Sequence, residues 1–570
     1  MRGLRNLSLE MRLKLLSVIK SRIDLHLVLI LLFGTTVLLI FKDSLFTPTS
    51  NFIDPWLYFG YFLNLPKYLR VFTGTYYGAR LGWLLPGFAA YRLFPPLLAN
   101  YTLRLLIYFP SLISSYLILK QVFRKPTALL TTLLLASNIW FLRAVSWDYV
   151  DGIGITYLFL SLLALIKAVH SNHQMSWLIL TGGLFALIIF TNIFLVAFIP
   201  LLIIYFFYLN LHSKKGNVII SLKYIFVGSV TTTLILCLIS LKLGGSFFFF
   251  KTTLSWITNY FGQVSPWQKS GYHWLLTAGW LMFPMVTFVS SIWFLLKERL
   301  DINKKSAALF FPVLFICVFI LYVIIDLHQS MALLQTFYYT SFFVPFMYLA
   351  WATILFRAST NINHSQFYGL TMMAISTQII TLIIYQAFPL LNIQFSPYLP
   401  ILILTSGLAG FMGLWSRLTS SKRLFFWLVF ISLTNLISGF SLRELWQTKD
   451  QNWRNNFLTV YESTQTISSI NPRLDTFFWY GRERQTGVYV AISSTYLWQY
   501  RLIDDDFPKV AQAQNLKKDT KIVILSETTD VYEAAAAVLT KLGHGTRLVR
   551  QESINRDKVN LVMTFIQLTD

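Results

Sequence analysis

The chain has 570 residues, 55% of them hydrophobic, 17% aromatic and only 12% charged, with a net charge of +23 and a mean hydropathy of +0.59. Soluble domains carry about 25% charged residues, so a soluble globular protein is excluded. The basic residues sit in short loops between apolar runs, which is the pattern of cytoplasmic membrane flanks and not of a nucleic-acid-binding surface. Cys237 and Cys317 both lie inside apolar runs, where cysteine is a small hydrophobe, so no disulfide framework is implied.

Residues 1–23 are basic and read as a cytoplasmic segment, with 9–22 as an amphipathic helix along the membrane face. The apolar run from Leu25 to Phe41 is too long for a signal-peptide core and no small-residue cleavage site follows it, so it reads as an uncleaved anchor. Spans are predicted at 24–41, 97–119, 127–142, 153–168, 218–241, 274–296, 306–325, 333–356, 367–388, 398–416 and 424–441. The stretch 177–210 has basic flanks on both sides, so it must cross an even number of times. Its length allows only about 51 Å of helix, which predicts two short or tilted helices with a turn near Thr191-Asn192. The count is 13, which leaves the N-terminus cytoplasmic and residues 442–570 outside a plasma (inner) membrane.

The first outer segment, 43–96, holds "YYGARLGWLLPGFAAYRLF" and reads as an amphipathic, interfacial pair of helices. After 441 the composition changes. "KIVILSE", "GTRLVRQES" and "VNLVMTFIQL" read as strands and "DVYEAAAAVLTKLGH" as a helix, giving a small α/β domain. Its acidic run Asp504, Asp505, Asp506 reads as a solvated turn. The expectation is a polytopic α-helical membrane protein, catalytic over 24–441, with an extracytoplasmic α/β domain over 442–570.

Polar groups collect in three outer segments. "NFIDPWLYFGYF" carries Asp54, followed by Arg80; "RAVSWDYVDG" carries Arg143, Asp148 and Asp151; residues 247–274 carry Lys251, Lys269 and His273 among aromatics. Ionisable groups at membrane depth are costly, about 2.5–3.5 kcal/mol each at the bilayer centre, and persist where they are paired, solvated or functional. Carboxylates and cations from the same loops suit a site that holds an anion and moves a proton. An aspartate can take a proton from a hydroxyl, Arg and Lys can stabilise a departing phosphate, and a groove between helices can hold a lipid tail. Sugar transfer from a lipid-phosphate donor fits this set. Transport of a lipid-linked sugar is the rival, although neither an inverted repeat nor mid-membrane charges, the marks of many transporters, are evident.

The order of five elements carries a resemblance: the acid in "FIDPWLYFGYF", then "YYGARLGWLLPGFAAYRLF", then an acid opening "DGIGITYLFLSLLALI", then the paired short helices of "LTGGLFALIIFTNIFLVAFIPLL", then "FYYTSFFVPFMYLAW". Together they resemble the GT-C membrane glycosyltransferases, in particular the family 39 branch of protein O-mannosyltransferases and aminoarabinose transferases. The resemblance implies an inverting transferase that uses a polyprenyl-phosphate sugar, with a glycan, lipid or protein acceptor. It implies Asp54 as general base, Asp151 or alternatively Asp148 as the second-loop acid, and Arg80, Lys251 or Lys269 with Tyr338 or Tyr339 at the donor phosphate. A ligase of preformed oligosaccharide fits the same residues. The chain departs from the pattern at Pro55, where many relatives have a second acid, and at Asn192, where many have lysine. No cofactor is certain; a divalent metal near the acids is one alternative, with Asp148 or Asp151 as its ligands.

Overall fold

A computed structural model describes residues 24–41, 53–72, 75–147, 149–213, 218–260, 279–297, 307–329, 333–334, 336–359, 362–387, 417–446, 476–480, 521–526, 531–541, 543–556 and 559–569. The chain opens with α1 (Leu25–Ile40), the outer pair α2 (Ile53–Val71) and α3 (Leu81–Leu93), then α4 (Pro96–Val122) and the bent pair α5 (Lys125–Ala136) and α6 (Ile139–Ser146). It continues through α7 (Val150–His170), α8 (Gln174–Ile189), α9 (Phe198–Ser213), α10 (Val218–Lys242), α11 (Lys251–Tyr260), α12 (Met282–Lys297) and α13 (Ala307–Gln329). The short α14 (Phe337–Thr340), α15 (Val344–Ala358), α16 (His364–Ala387) and α17 (Ser420–Trp446) complete the helical part.

Among the described residues nine helices are long and apolar enough to cross a membrane, or ten if the bent pair counts as one span. α1 and α8 are shorter apolar helices. Each lies where a span was expected; the expected span 398–416 lies outside the described residues. In a bilayer every backbone polar group needs an internal partner, and the helix supplies it.

The predicted single span 127–142 is corrected to a pair bent by 57°. Asn138 breaks the helix and caps α6 by accepting the Phe141 N–H at 2.8 Å. The backbone freed at the break is met from α17. Asn435 accepts the Ile139 N–H at 2.9 Å and the Asn138 amide at 3.1 Å, and donates to the Ser137 carbonyl at 3.1 Å.

α8 and α10 touch backbone to backbone. A Cβ on Gly182 would collide with the Ile225 carbonyl, and one on Gly228 with the Ile179 carbonyl. Small residues permit this approach, the usual device of membrane helix pairs.

The predicted outer helix pair exists as α2 and α3, but it is not laid on a surface. Tyr58, Phe59, Phe62, Trp83 and Leu84 are fully buried, because aromatics occupy most of the circumference and not one stripe. α2 is kinked at Asn64, where Pro66 removes a backbone donor.

At the C-terminal end β1 (Thr476–Tyr480), β2 (Lys521–Ser526), β3 (Gly545–Arg556) and β4 (Val559–Thr569) form a sheet in the order β1-β2-β4-β3. β1 is parallel to β2, and the other neighbours are antiparallel. The helix α18 (Tyr532–Lys541) ends at Gly543, whose φ of +87° closes it, with the His544 N–H reaching the Leu539 carbonyl. The sequence reading found β2 to β4 and α18 and missed β1. α17 runs to Trp446, past the expected boundary at 441. Asp504, Asp505 and Asp506 lie outside the described residues.

Candidate active site

Asp54 sits in the first turn of α2, where the helix dipole favours a negative charge. It is half-buried, and Tyr77 donates its phenolic hydrogen to Asp54 Oδ1 at 2.7 Å. Burial, and then the Asp54 charge, push the Tyr77 phenol well above its usual range, so Tyr77 holds its proton as the donor to the carboxylate. The Tyr77 ring stacks on Tyr76, with centroids 4.1 Å apart.

Arg80 lies in the middle of an aromatic cage. Its guanidinium is 4.7 Å from the Tyr76 ring centroid, 5.6 Å from those of Tyr58 and Tyr149, and 6.0 Å from that of Tyr77. Nη1 donates to the Tyr58 hydroxyl. A desolvated cation over a ring gains about 2 kcal/mol, and a guanidinium suits such stacking better than an ammonium does. The cage also explains how a cation is tolerated among so many rings.

The wall continues. Tyr149 meets Tyr338 edge-on at 4.7 Å, Tyr338 meets Tyr339 at 4.5 Å, and Tyr339 meets Phe194 at 4.8 Å. Phe194 follows the turn between α8 and α9. There Thr191 donates to the Leu187 carbonyl at 2.7 Å, and Asn192 accepts the Phe194 N–H at 3.0 Å. Gly82 packs directly on this turn. Its N–H donates to the Phe190 carbonyl at 2.9 Å, Tyr157 donates to its carbonyl at 2.9 Å, and a Cβ there would strike Thr191 and the Leu187 carbonyl. Between these parts lies a cleft of about 200 Å³, lined by Arg80, Tyr76, Thr191, Asn192, Phe194 and Phe250 among others.

The structure therefore brings Asp54, Arg80, Tyr338 and Tyr339 to one aromatic wall. Lys251 opens α11 immediately after Phe250 and is exposed at the rim. Asp151, the expected second-loop acid and alternative metal ligand, is only 2% exposed. Trp147 Nε1 donates to its Oδ1 at 2.7 Å and Ser341 approaches its Oδ2 at 3.2 Å. Arg143, a further site candidate, donates to the Tyr385 hydroxyl at 2.7 and 3.0 Å and lies over Phe41 at 5.4 Å. Asp148, Lys269 and His273 lie outside the described residues. Tyr58 and Tyr149 were missed. Tyr58 had a signal, since it stands four residues after Asp54, on the same face of a helix.

For a divalent metal the fit is poor. Among the described residues no three His, Cys, Asp or Glu gather, and Asp54 and Asp151 are each engaged by protein donors.

ArnT from Cupriavidus metallidurans, solved with undecaprenyl phosphate bound, superposes with a TM-score of 0.50 at 13% identity, covering 94% of this chain and 97% of that one. The chain shares the fold of this ArnT. The apo form of the same ArnT gives 0.48 at 13% identity, covering 94% and 97%, and the Archaeoglobus fulgidus oligosaccharyltransferase gives 0.43 at 14% identity, covering 91% and 72%. No protein-family model and no curated protein matches the sequence. Its apolar helices and this shared fold make it a multi-pass membrane protein.

Proposed function

We propose that the chain is an inverting glycosyltransferase that moves a sugar from a polyprenyl-phosphate donor to an acceptor hydroxyl on the extracytoplasmic face. The observation that carries this reading is the pairing of a carboxylate, Asp54, with an aromatic-caged guanidinium, Arg80, through Tyr58 and Tyr77 beside a cleft. The fold supports it, as does the ArnT neighbour solved with undecaprenyl phosphate. The basic loops on the opposite side support a cytoplasmic N-terminus and a site on the outer face.

In this mechanism the donor phosphate lies against Arg80, with Lys251 at the rim and Tyr338 and Tyr339 as hydroxyl donors. The acceptor oxygen attacks the anomeric carbon from the face opposite the phosphate. As the C–O bond to the acceptor forms, the bond to the phosphate oxygen breaks. The acceptor proton passes to Asp54, and polyprenyl phosphate leaves with the electron pair, its charge met by Arg80. Asp54 stands in the first turn of a helix and is held by Tyr77, which aims it for this task. The domain 442–570 is assigned to the outer side, as a cap or an acceptor-holding element.

The test uses the full chain in proteoliposomes with a labelled polyprenyl-phosphate sugar. Release of free polyprenyl phosphate with label on an acceptor supports transfer, and a labelled oligosaccharide in place of one sugar identifies a ligase. Movement of intact donor across the bilayer with no release identifies a flippase and sinks the reading. Asp54→Asn should lower transfer by a factor on the order of 10² or more; near-normal transfer removes Asp54 as base.

A further inference from the structure

The short helix α14 carries Tyr338 and Tyr339, and its two ends are tied to buried carboxylates that do not face the cleft. At the N-terminal side, Asp326 on α13 is only 6% exposed and accepts two backbone hydrogens, from Leu333 at 2.6 Å and Leu334 at 3.3 Å. Trp280 Nε1 donates to the carbonyl of the same Leu334 at 3.3 Å. Leu334 is thus held through both its amide hydrogen and its carbonyl. The Leu333 carbonyl receives the Thr336 N–H at 3.3 Å, and the Thr336 carbonyl receives the N–H groups of Tyr339 and Thr340 at 3.1 and 3.3 Å. The chain of bonds runs from Asp326 through Leu333 and Thr336 to Tyr339.

At the C-terminal side, the Ser341 hydroxyl is shared between the Tyr338 carbonyl at 2.7 Å and Asp151 Oδ2 at 3.2 Å. The other oxygen of Asp151 holds Trp147, whose ring lies 5.4 Å from Phe337 and 5.9 Å from Tyr338. One carboxylate fixes where α14 begins; the other fixes the last turn and the indole it rests on.

We propose that Asp326 and Asp151 are positioning residues that brace α14 from both ends and so set Tyr338 and Tyr339 at the donor phosphate. A carboxylate accepting two backbone N–H groups is a stronger and more directional anchor than a neutral cap. An Ångström of drift in a positioning element is enough to cost a large factor in rate. The assignment rests on the transferase reading above. It gives Asp151, which sequence placed in the chemistry, a different task, and it brings in Asp326, which no motif singled out.

The test is hydrogen exchange over residues 333–341 of the full chain in detergent, together with titration by undecaprenyl phosphate and the donor KM. The variants are Asp326→Asn, which leaves one acceptor for two N–H groups, and the milder Trp280→Phe and Ser341→Ala. Exchange in 333–341 should rise about tenfold in Asp326→Asn, and undecaprenyl phosphate affinity should fall about fivefold, with smaller changes of the same sign in the milder pair. In a chain already carrying Tyr338→Phe and Tyr339→Phe, Asp326→Asn should add less than about twofold, because it acts through those hydroxyls. An equal, additive loss in that background would assign Asp326 to general stability and overturn the proposal. So would unchanged lipid-phosphate affinity in both milder variants when exchange has risen. If the wild-type chain binds no lipid phosphate, the transferase reading itself fails and the brace falls with it, whereas wild-type binding with unaffected variants removes the brace alone.

Discussion

Tyr77 and Asp54 form the contact on which the site turns: a phenol in the segment before α3 gives its hydrogen to a carboxylate in the first turn of α2, 23 residues away in sequence and 2.7 Å in space. The same phenol stacks on the ring that covers Arg80. Tyr77→Phe keeps the stack and removes the hydrogen bond. Transfer should fall about tenfold, well short of the loss in Asp54→Asn. In the double variant Tyr77→Phe should add little, since the tyrosine works through the carboxylate. Steady-state kcat/KM for the four chains checks this.

Arg80→Lys is not conservative here. Lysine keeps the charge and loses the flat surface that four tyrosine rings enclose. Affinity for polyprenyl phosphate should drop on the order of tenfold, while the thermal midpoint falls by only a few degrees. Calorimetric titration alongside thermal unfolding separates the two effects. Equal affinity in the lysine variant would mean that Arg80 is a structural cation.

Gly82→Ala should be more damaging than its size suggests. The new methyl group meets the Leu187 carbonyl and Thr191, and backbone cannot give way as a side-chain tip can. The segment carrying Arg80 must lift from the end of α8. Activity should fall at least about tenfold, with overpacking costing about 1–3 kcal/mol of stability. Gly82→Ser should behave alike, since the obstacle is the Cβ atom.

Asn435→Leu removes the acceptor of the Ile139 N–H and the donor to the Ser137 carbonyl at the break between α5 and α6. Each buried group left unmet costs about 1–3 kcal/mol, and no water is at hand in a membrane interior. Unfolding in detergent should show a loss of about 2–4 kcal/mol. Asn435→Asp, which retains the acceptor, should recover part of it.

Alkaline pH should weaken the outer helix pair. The buried Tyr61 phenol is pushed up to about 12 by desolvation, against about 10 in an unfolded chain. Its folded value is raised, so its contribution is fully present below pH 10 and disappears as pH climbs from 10 to about 12. The amount is about 2–3 kcal/mol. Thermal midpoints of wild type and Tyr61→Phe, measured from pH 9 to 12, should converge in slope below 10 and diverge above it.

Much of this was legible in the residues. Apolar runs marked the spans because bilayer thickness dictates length, and the basic flanks of 177–210 required the helix pair with its turn at Thr191-Asn192 that the structure contains. Asp54, Arg80, Tyr338 and Tyr339 were named and do share a wall. What sequence did not show was which polar groups find partners far along the chain. Asp151 opens its helix as a functional acid would, yet its oxygens are engaged by Trp147 and by Ser341, the latter 190 residues on. Arg143 was a site candidate by its loop alone; its Nε and Nη2 donate to Tyr385, 242 residues away. The bend at Asn138 depends on Asn435, 297 residues distant. Local pattern carries periodicity and charge; it carries no information about long-range pairing.

The backbone contact of Gly182 with Ile225 and of Gly228 with Ile179 reaches further than the two helices it joins. The end of α8 bears the Phe190–Phe194 turn, and Phe190 packs on Phe249 and Phe250 beyond α10 at 5.0 and 5.9 Å. Gly82 fastens the Arg80 segment to that same turn. The cleft is therefore a finished frame before anything enters it, and a ligand meets it without first having to assemble it. Such a frame keeps the ordering penalty of binding small and makes recognition a matter of fit. A guest of the wrong shape meets resistance from the joined helices, whereas along α11 it meets the exposed Lys251, Leu254 and Ser255.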